Sequence, residues 1–332
     1  MRFAIVGAGG IARLHAAVIA GLPARLVAVA DRNPGKAADL AAAHGADAYG
    51  SLAPVLDRTD VDVVVVCTPS GVHADGAVAA LDAGKHVIVE KPVDVTLAAA
   101  RRIADAERRA GRVATVISQH RFDPASAAVA DAVRAGRLGR LSSAVVSMAW
   151  WRGQDYYDSA GWRGTWALDG GGALMNQAIH TVDLLVWLCG RPVEVSASTA
   201  RLAHDGIEVE DTVAATLRFD GGALGVLHAT TAAYPGLTAR LQLHGDRGSA
   251  VIDGDRLAYL GAAAVPVDSP AGAGSSPLAL DAEAHARQYR DFLDALATGR
   301  PPLVTVAEAT RTLGVVLAIY ESARSGRPVS PA

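Results

Sequence analysis

The chain has 332 residues, 51% of them hydrophobic and 20% charged, enough for about two domains with buried cores and too apolar for a disordered polymer. Its 31 basic residues nearly balance 34 acidic ones, for a net charge of −3. There is no block of like charge and no apolar run near ~18 residues, which argues against a nucleic-acid surface and against a membrane partner. Two cysteines, Cys67 and Cys189, cannot build a disulfide framework, and MRFAIVGAGG lacks the build of a signal peptide, so a cytoplasmic protein is expected.

Along the first 120 residues, short β-branched runs alternate with Ala-rich stretches. The runs 3–7, 26–31, 61–67, 86–90 and 113–118 are nearly continuous in hydrophobicity, the pattern of parallel strands buried on both faces. The segments 10–20, 35–44, 71–83 and 96–110 read as helices, with Gly84 and Gly111 just past two of their ends. Repetition of this kind predicts an α/β fold, an N-terminal Rossmann doubly wound parallel sheet over residues 1–120.

Beyond residue 120 the pattern changes. A helix at 125–135 precedes partly alternating segments at 139–151, 193–202, 211–219, 223–232, 237–244 and 249–253, with hairpin-type turns between the later ones. A helix at 173–189, a Gly/Ala/Pro/Ser-rich loop at 261–280 and helices at 281–297 and 305–325 complete the chain. Residues 121–332 therefore read as a C-terminal α+β domain with a mostly antiparallel sheet, taken to be open. Its one uncovered face suggests pairing into a homodimer or homotetramer.

Gly7-Ala8-Gly9-Gly10-Ile11-Ala12 follows the first strand and opens the first helix, the form G-x-G-x-x-A of a dinucleotide fingerprint. Gly7 would make the tight turn, Gly9 would admit the pyrophosphate, Ala12 would pack helix on sheet, and the helix N-terminus would face the phosphates. Asp31 ends the second strand, 19 residues after Ala12, where a carboxylate bonds ribose hydroxyls and repels a 2′-phosphate. NAD is favoured on that ground. Arg32 could pair with the extra phosphate, so NADP stays open.

Lys91, at the carboxyl edge of a parallel strand, stands beside the crevice where a dinucleotide lies. Its ammonium can polarise a C–O group or relay a proton, and Pro92 fixes the backbone there. Glu90 could serve the cofactor end or hold a backbone or helix end. In the 173–189 helix, Asn176, His180 and Asp183 are spaced to share one face, and His180 has the ordinary titration range of a general acid/base. Metal binding by His180 and Asp183 lacks an evident third ligand, so no metal is expected.

Thr68-Pro69-Ser70 with His73, Glu90-Lys91-Pro92 and Gly170-Gly171-Gly172-Ala173-Leu174-Met175-Asn176-Gln177-Ala178-Ile179-His180-Thr181-Val182-Asp183, in that order after the N-terminal fingerprint, resemble the glucose–fructose oxidoreductase/inositol dehydrogenase (Gfo/Idh/MocA) family. The resemblance covers nearly the whole chain and implies that residues 121–332, with an open antiparallel sheet, serve substrate binding and oligomerisation. It implies an NAD(P)-dependent oxidoreductase moving a hydride between nicotinamide and a sugar, cyclitol or related polyol. It also implies a cofactor role for Gly7, Gly9, Gly10, Ile11, Ala12, Asp31, Arg32, Thr68, Pro69, His73, Glu90 and Lys91. Lys91, His180 and Asn176 become the catalytic candidates. The family most often has Asp at position 176; Asn cannot ionise but can orient a substrate hydroxyl. Gln119-His120-Arg121-Phe122-Asp123-Pro124 matches another family stretch, placing Arg121 at the active-site cleft or between the two domains. Two alternatives in the same family are an NAD-dependent glycoside hydrolase and a non-catalytic NAD-binding regulator.

Aromatic residues are scarce, 5 Trp, 7 Tyr and 4 Phe, yet Trp150, Trp151, Tyr156, Tyr157, Trp162 and Trp166 fall within one short stretch. Rings interleaved with Arg152, Asp155, Asp158 and Arg163 suit a carbohydrate, the faces covering C–H groups and the charges binding hydroxyls. Trp151, Tyr156, Trp162 and Arg163 thus join Arg121, Asn176 and Asp183 as substrate candidates. A subunit interface is the competing use of the same rings.

Overall fold

The computed structural model describes residues 1–261, 263–264 and 282–332. In chain order the first elements are β1 (Arg2–Val6), α1 (Gly10–Ala20), β2 (Arg25–Ala30), α2 (Pro34–His44), β3 (Asp47–Tyr49), α3 (Ala53–Leu56) and β4 (Val63–Val66). They continue with α4 (His73–Asp82), β5 (His86–Val89), α5 (Leu97–Ala110) and β6 (Ala114–Val116). Then come α6 (Pro124–Arg134), β7 (Leu141–Ala149), α7 (Gln154–Asp158), α8 (Ile179–Cys189), β8 (Pro192–Ala200), β9 (Thr212–Phe219) and β10 (Leu224–Thr230). The last are β11 (Arg240–Gly245), β12 (Ser249–Asp253), β13 (Arg256–Gly261), β14 (Ala263–Ala264), α9 (Ala282–Thr298) and α10 (Val306–Ser325).

The first sheet is parallel throughout, ordered β3-β2-β1-β4-β5-β6. This is the dinucleotide-binding order, with its crevice where β1 and β4 send their connections to opposite sides. The four valines of β4 have no exposed surface, because helices cover both faces of the strand. Local signals set the helix ends. Asn33 Oδ1 accepts the Gly35 and Lys36 N–H groups at the start of α2, with Pro34 in its first turn. Thr96 caps α5, which ends at left-handed Gly111.

The second sheet runs β14-β13-β12-β11-β7-β10-β9-β8, antiparallel except for the β7–β10 pair. In β9 the residues Val213, Ala215, Leu217 and Phe219 are buried, while Ala214, Thr216 and Arg218 alternate outward. Leu224 and Val226 of β10 extend that outer face at 60% and 49% exposure, so the sheet keeps one apolar-studded side uncovered within this chain. The α/β reading with a second, mostly antiparallel sheet describes this chain. Its segment 261–280 lies largely outside the described residues.

The chain divides into two compact units, Met1–Gln119 with Leu280–Thr310 and His120–Ala279 with Arg311–Ala332. The expected cut into 1–120 and 121–332 is therefore not contiguous: α9 returns to the first unit. Its Tyr289 and Phe292 are buried in the same core as Phe3, Ile5 and Val65, with Tyr289 and Phe3 ring centroids 5.9 Å apart. A periodicity reading finds the helix but cannot see which core it joins.

Candidate active site

In the first unit the glycine-rich turn is built by steric necessity. Gly7 has φ +90, and a Cβ there would lie 2.5 Å from the Cys67 carbonyl oxygen at the end of β4. Only glycine lets the two strand ends come this close. At Gly9 and Gly10 a Cβ would meet nothing within 4 Å, and α1 has neither a side-chain cap nor an acidic residue in its first turn. The first-turn N–H groups and the helix dipole are thus directed at an open cradle suited to a diphosphate. Ile11 is half-buried there, and Ala12 is fully buried against the sheet.

Asp31 is fixed beside this turn: its carboxylate accepts the Ala8 N–H and the Asn33 N–H, both at 2.7 Å. Arg32 next to it is exposed. The Thr68 hydroxyl oxygen is buried and has no hydrogen-bond partner among the described residues, a donor-acceptor that a bound group would satisfy. Pro69 follows it, half-buried. These residues fit a dinucleotide. Gly7→Ala is expected to strain the turn by about 2–4 kcal/mol and to abolish tight NADH binding. Fluorescence titration of NADH and a thermal melt check this.

Two other residues expected at the cofactor end, His73 and Glu90, brace the loops around it. His73 is buried, with its ring nitrogens 2.7 Å from the Pro92 carbonyl oxygen and 2.9 Å from that of Thr68. It ties the loop after β4 to the loop after β5, and burial lowers its pKa. Glu90 is buried too. Its carboxylate lies 2.8 Å from His15 Nε2 and accepts the Lys91 N–H at 2.9 Å. Burial pushes its pKa up, but the hydrogen bond and charge of His15, with Lys91 and His285 nearby, outweigh this and hold it at about 2. Glu90 thus positions the backbone of Lys91. His15, Glu90 and His285 bring ligand-type atoms within 4.8 Å of one another, yet both His15 nitrogens already face Tyr289 and Glu90.

The Glu90 contribution is fully present above pH 4.5, the usual glutamate value, and is lost as pH falls toward 2. It amounts to something on the order of 3 kcal/mol. Urea midpoints of the wild type and Glu90→Gln should therefore differ at neutral pH and converge in acid.

In the second unit, the predicted single helix over 173–189 is a π-helical turn, Ala173–Ala178, followed by α8. Glu210 holds its start. The carboxylate accepts the Gly172 N–H at 2.9 Å and the Leu174 N–H at 2.8 Å, and burial raises it to about 7. Gly172 must be glycine, since a Cβ would run into the Glu210 carbonyl oxygen. Asn176, on the π turn, is 9% exposed; its amide donates to Asp169 and accepts from Gln177 at 3.1 Å. His180, half-buried on α8, meets the His120 ring edge-on at 5.2 Å, and His120 Nδ1 lies 2.7 Å from Asp123.

Asp169, Gln177 and His120 escaped the sequence reading. Asp169 is 1% exposed, bonded to the Gly164 N–H at 2.8 Å as well as to Asn176. The available signal was its place directly before Gly170-Gly171-Gly172.

Asp183 and Arg121, expected at the substrate, are bound to each other. They are 3% and 2% exposed and bind each other through two hydrogen bonds of 2.7 Å, with the Thr312 hydroxyl donating to Asp183 at 2.8 Å. A buried guanidinium and carboxylate in bidentate contact leave the Asp183 oxygens no reason to seek a ligand. Both residues lie within the second unit, and the pair braces it.

The aromatic stretch splits. Trp151 packs on Tyr234 and His204, and Trp166 on Tyr320. Tyr157 bonds Thr231. Tyr156, Trp162 and Arg163 stay with the π turn: the Tyr156 hydroxyl accepts from Gln177 at 2.7 Å and from Arg163 at 2.5 Å, and Arg163 lies over the Trp162 ring. Among the described residues, no helix is long and apolar enough to cross a membrane.

A model of the oxidoreductase family with an NAD-binding Rossmann fold matches residues 1–118, and one of the GFO/IDH/MocA C-terminal domain matches 126–251. The chain is 30% identical over 261 residues to an inositol 2-dehydrogenase of Rhizobium meliloti (strain 1021), covering 77% of this chain and 76% of that protein. It is 26% identical to a scyllo-inositol 2-dehydrogenase (NAD(+)) of Bacillus subtilis (strain 168), covering 99% and 96%. Among solved structures, the WlbA dehydrogenase from Bordetella pertussis in complex with NADH and UDP-GlcNAcA superposes with a TM-score of 0.88 at 36% identity, covering 99% and 98%.

Proposed function

The chain belongs to the GFO/IDH/MocA oxidoreductase family, and from that premise we propose how its own residues act on a sugar, cyclitol or related polyol. It is an NAD-dependent oxidoreductase; its named relatives are dehydrogenases, and this supports redox turnover over hydrolysis or regulation. The observation that carries the residue assignment is the Asp169–Asn176–Gln177 network one helical turn before His180. When bound, NAD supplies the hydride acceptor.

The Gly7–Ala12 turn holds the diphosphate and Asp31 the ribose. In the oxidation direction, a ring nitrogen of His180 takes the proton of the substrate hydroxyl. In the first unit, the Lys91 ammonium is the cation able to polarise a substrate C–O group and lower the cost of developing negative charge. Asn176 orients a neighbouring hydroxyl, and Asp169 fixes the Asn176 amide. The carboxylate of Asp169 supports the reading that a buried anion serves this helix although position 176 cannot ionise.

NADH formation over a panel of sugars and inositols, with NAD and with NADP, tests this. Turnover with at least one polyol is expected, and none with any polyol and either cofactor would overturn it. NAD is expected to exceed NADP in kcat/KM, because a 2′-phosphate would approach the anchored Asp31 carboxylate. Asp31→Ala should narrow that preference by about 10-fold or more.

The protein is further proposed to be cytoplasmic and to pair through the open face of its second sheet into a homodimer or homotetramer. The exposed Leu224 and Val226 support this, and sedimentation equilibrium tests it.

A further inference from the structure

Among the described residues, Arg152 and Arg163 stand together without an ion-pair partner, the buried Asp169 being bonded instead to the Gly164 N–H and to Asn176. Their guanidinium carbons lie 5.2 and 4.2 Å from the centroid of one ring, that of Tyr156. Trp150 and Trp162 flank them, at 5.2 Å from Arg152 and 4.7 Å from Arg163. Each guanidinium makes a single side-chain hydrogen bond to a neutral group: Arg152 donates to Gln177 Oε1 at 2.9 Å, and Arg163 to the Tyr156 hydroxyl at 2.5 Å. Among the described residues, the buried Nε of each finds no hydrogen-bond partner.

Among the described residues, neither arginine enters an ion pair. Asp155 and Asp158, the acidic neighbours in sequence, are exposed, and Asp158 accepts from Gln154. The chain contrasts this pair with Arg121, which it matches to a buried carboxylate. Two guanidinium groups held on one ring repel each other, and their unmet donors are costly when dry. Such a pair is stable when an anion bridges it, since planar forks bind carboxylate and phosphate oxygens in parallel.

Both arginines reach the catalytic helix through one residue. Gln177 accepts from Arg152, donates to Tyr156, and donates to Asn176, four residues before His180. An anion here would therefore belong to the molecule being oxidised.

We propose that Arg152 and Arg163 form a subsite for an anionic group of the substrate, so that the sugar acted on is an acidic one carrying a carboxylate or a phosphate. This rests on the sugar-oxidoreductase reading above and narrows it. The aromatic rings then take the C–H face of the sugar, and Gln177 sets the distance between the anion and Asn176.

The test compares D-glucose with D-glucuronate, D-glucose 6-phosphate and UDP-D-glucuronate. Calorimetric binding to the NADH-loaded protein is measured beside NADH formation from NAD. At least one anionic member is expected to exceed D-glucose by about 100-fold in affinity or kcat/KM. That ratio should fall about 10-fold or more in Arg163→Gln and in Arg152→Gln, and fall less in Arg163→Lys, which keeps the charge but loses the planar fork. Preference for the uronate identifies a carboxylate site, and preference for glucose 6-phosphate a phosphate site. Preference for UDP-D-glucuronate over both assigns the diphosphate. Equal binding of D-glucose and every anionic sugar, or a ratio untouched by both Gln variants, overturns the proposal. Arginine-dependent binding of an acidic sugar without NADH formation sinks the redox reading and leaves the anion subsite standing.

Discussion

Replacing Lys91 or His180 by alanine is expected to cut turnover by roughly 10²-fold or more while NADH still binds. Neither side chain belongs to the Gly7–Ala12 turn or to the Asp31 anchor, so the cofactor keeps its contacts. The loss should appear in kcat more than in KM, because each group is proposed to act where charge changes during the reaction. The double variant should be little worse than either single one if the two side chains share one proton network. Full activity in the double variant would remove both from the mechanism. Asp169→Asn is the informative companion. A residue acting only through Asn176 should shift the pH–rate profile while leaving NADH affinity unchanged.

The second large effect concerns stability. Asp183→Ala leaves the 2%-exposed Arg121 guanidinium buried and without its bidentate partner. The expected cost is about 3–5 kcal/mol, or roughly 10 °C in Tm for a chain of this size. Replacing both members by apolar residues of similar volume should recover most of that loss. A melt of Asp183→Ala within about 1 °C of wild type would show that the pair is structurally idle.

The history of these two residues shows what the sequence can carry. The uninterrupted valines of β4 announce a strand covered on both sides, and the glycine-rich turn announces itself by position. The three-residue β3 is too short to leave a pattern. Arg121 and Asp183 lie 62 residues apart, and on one helix face Asp183 looks like a neighbour of His180; only the fold reveals that it is occupied. For His73 the bracing role left no mark in sequence, while for Glu90 the hold on a backbone group was one of two open readings. They stand at the crevice edge in sequence, but their side chains turn inward to brace the loops. Asp169 and Gln177 depend on the π turn, whose extra residue per turn shifts which side chains meet, and a 3.6-residue template cannot anticipate that. The aromatic cluster was legible as a cluster. Its division among separate contacts was not.

The return of α9 to the first unit has a practical meaning for recombination. The nucleotide-binding half is not a cassette that ends near residue 120. A fragment stopping there would present the surface that Tyr289 and Phe292 cover as bare hydrocarbon. Chimaeras between family members would need to transplant two separate stretches, with α9 travelling alongside the N-terminal portion. Cofactor preference should therefore be re-engineered by point changes around Asp31, and wholesale exchange of the amino-terminal third should give insoluble products.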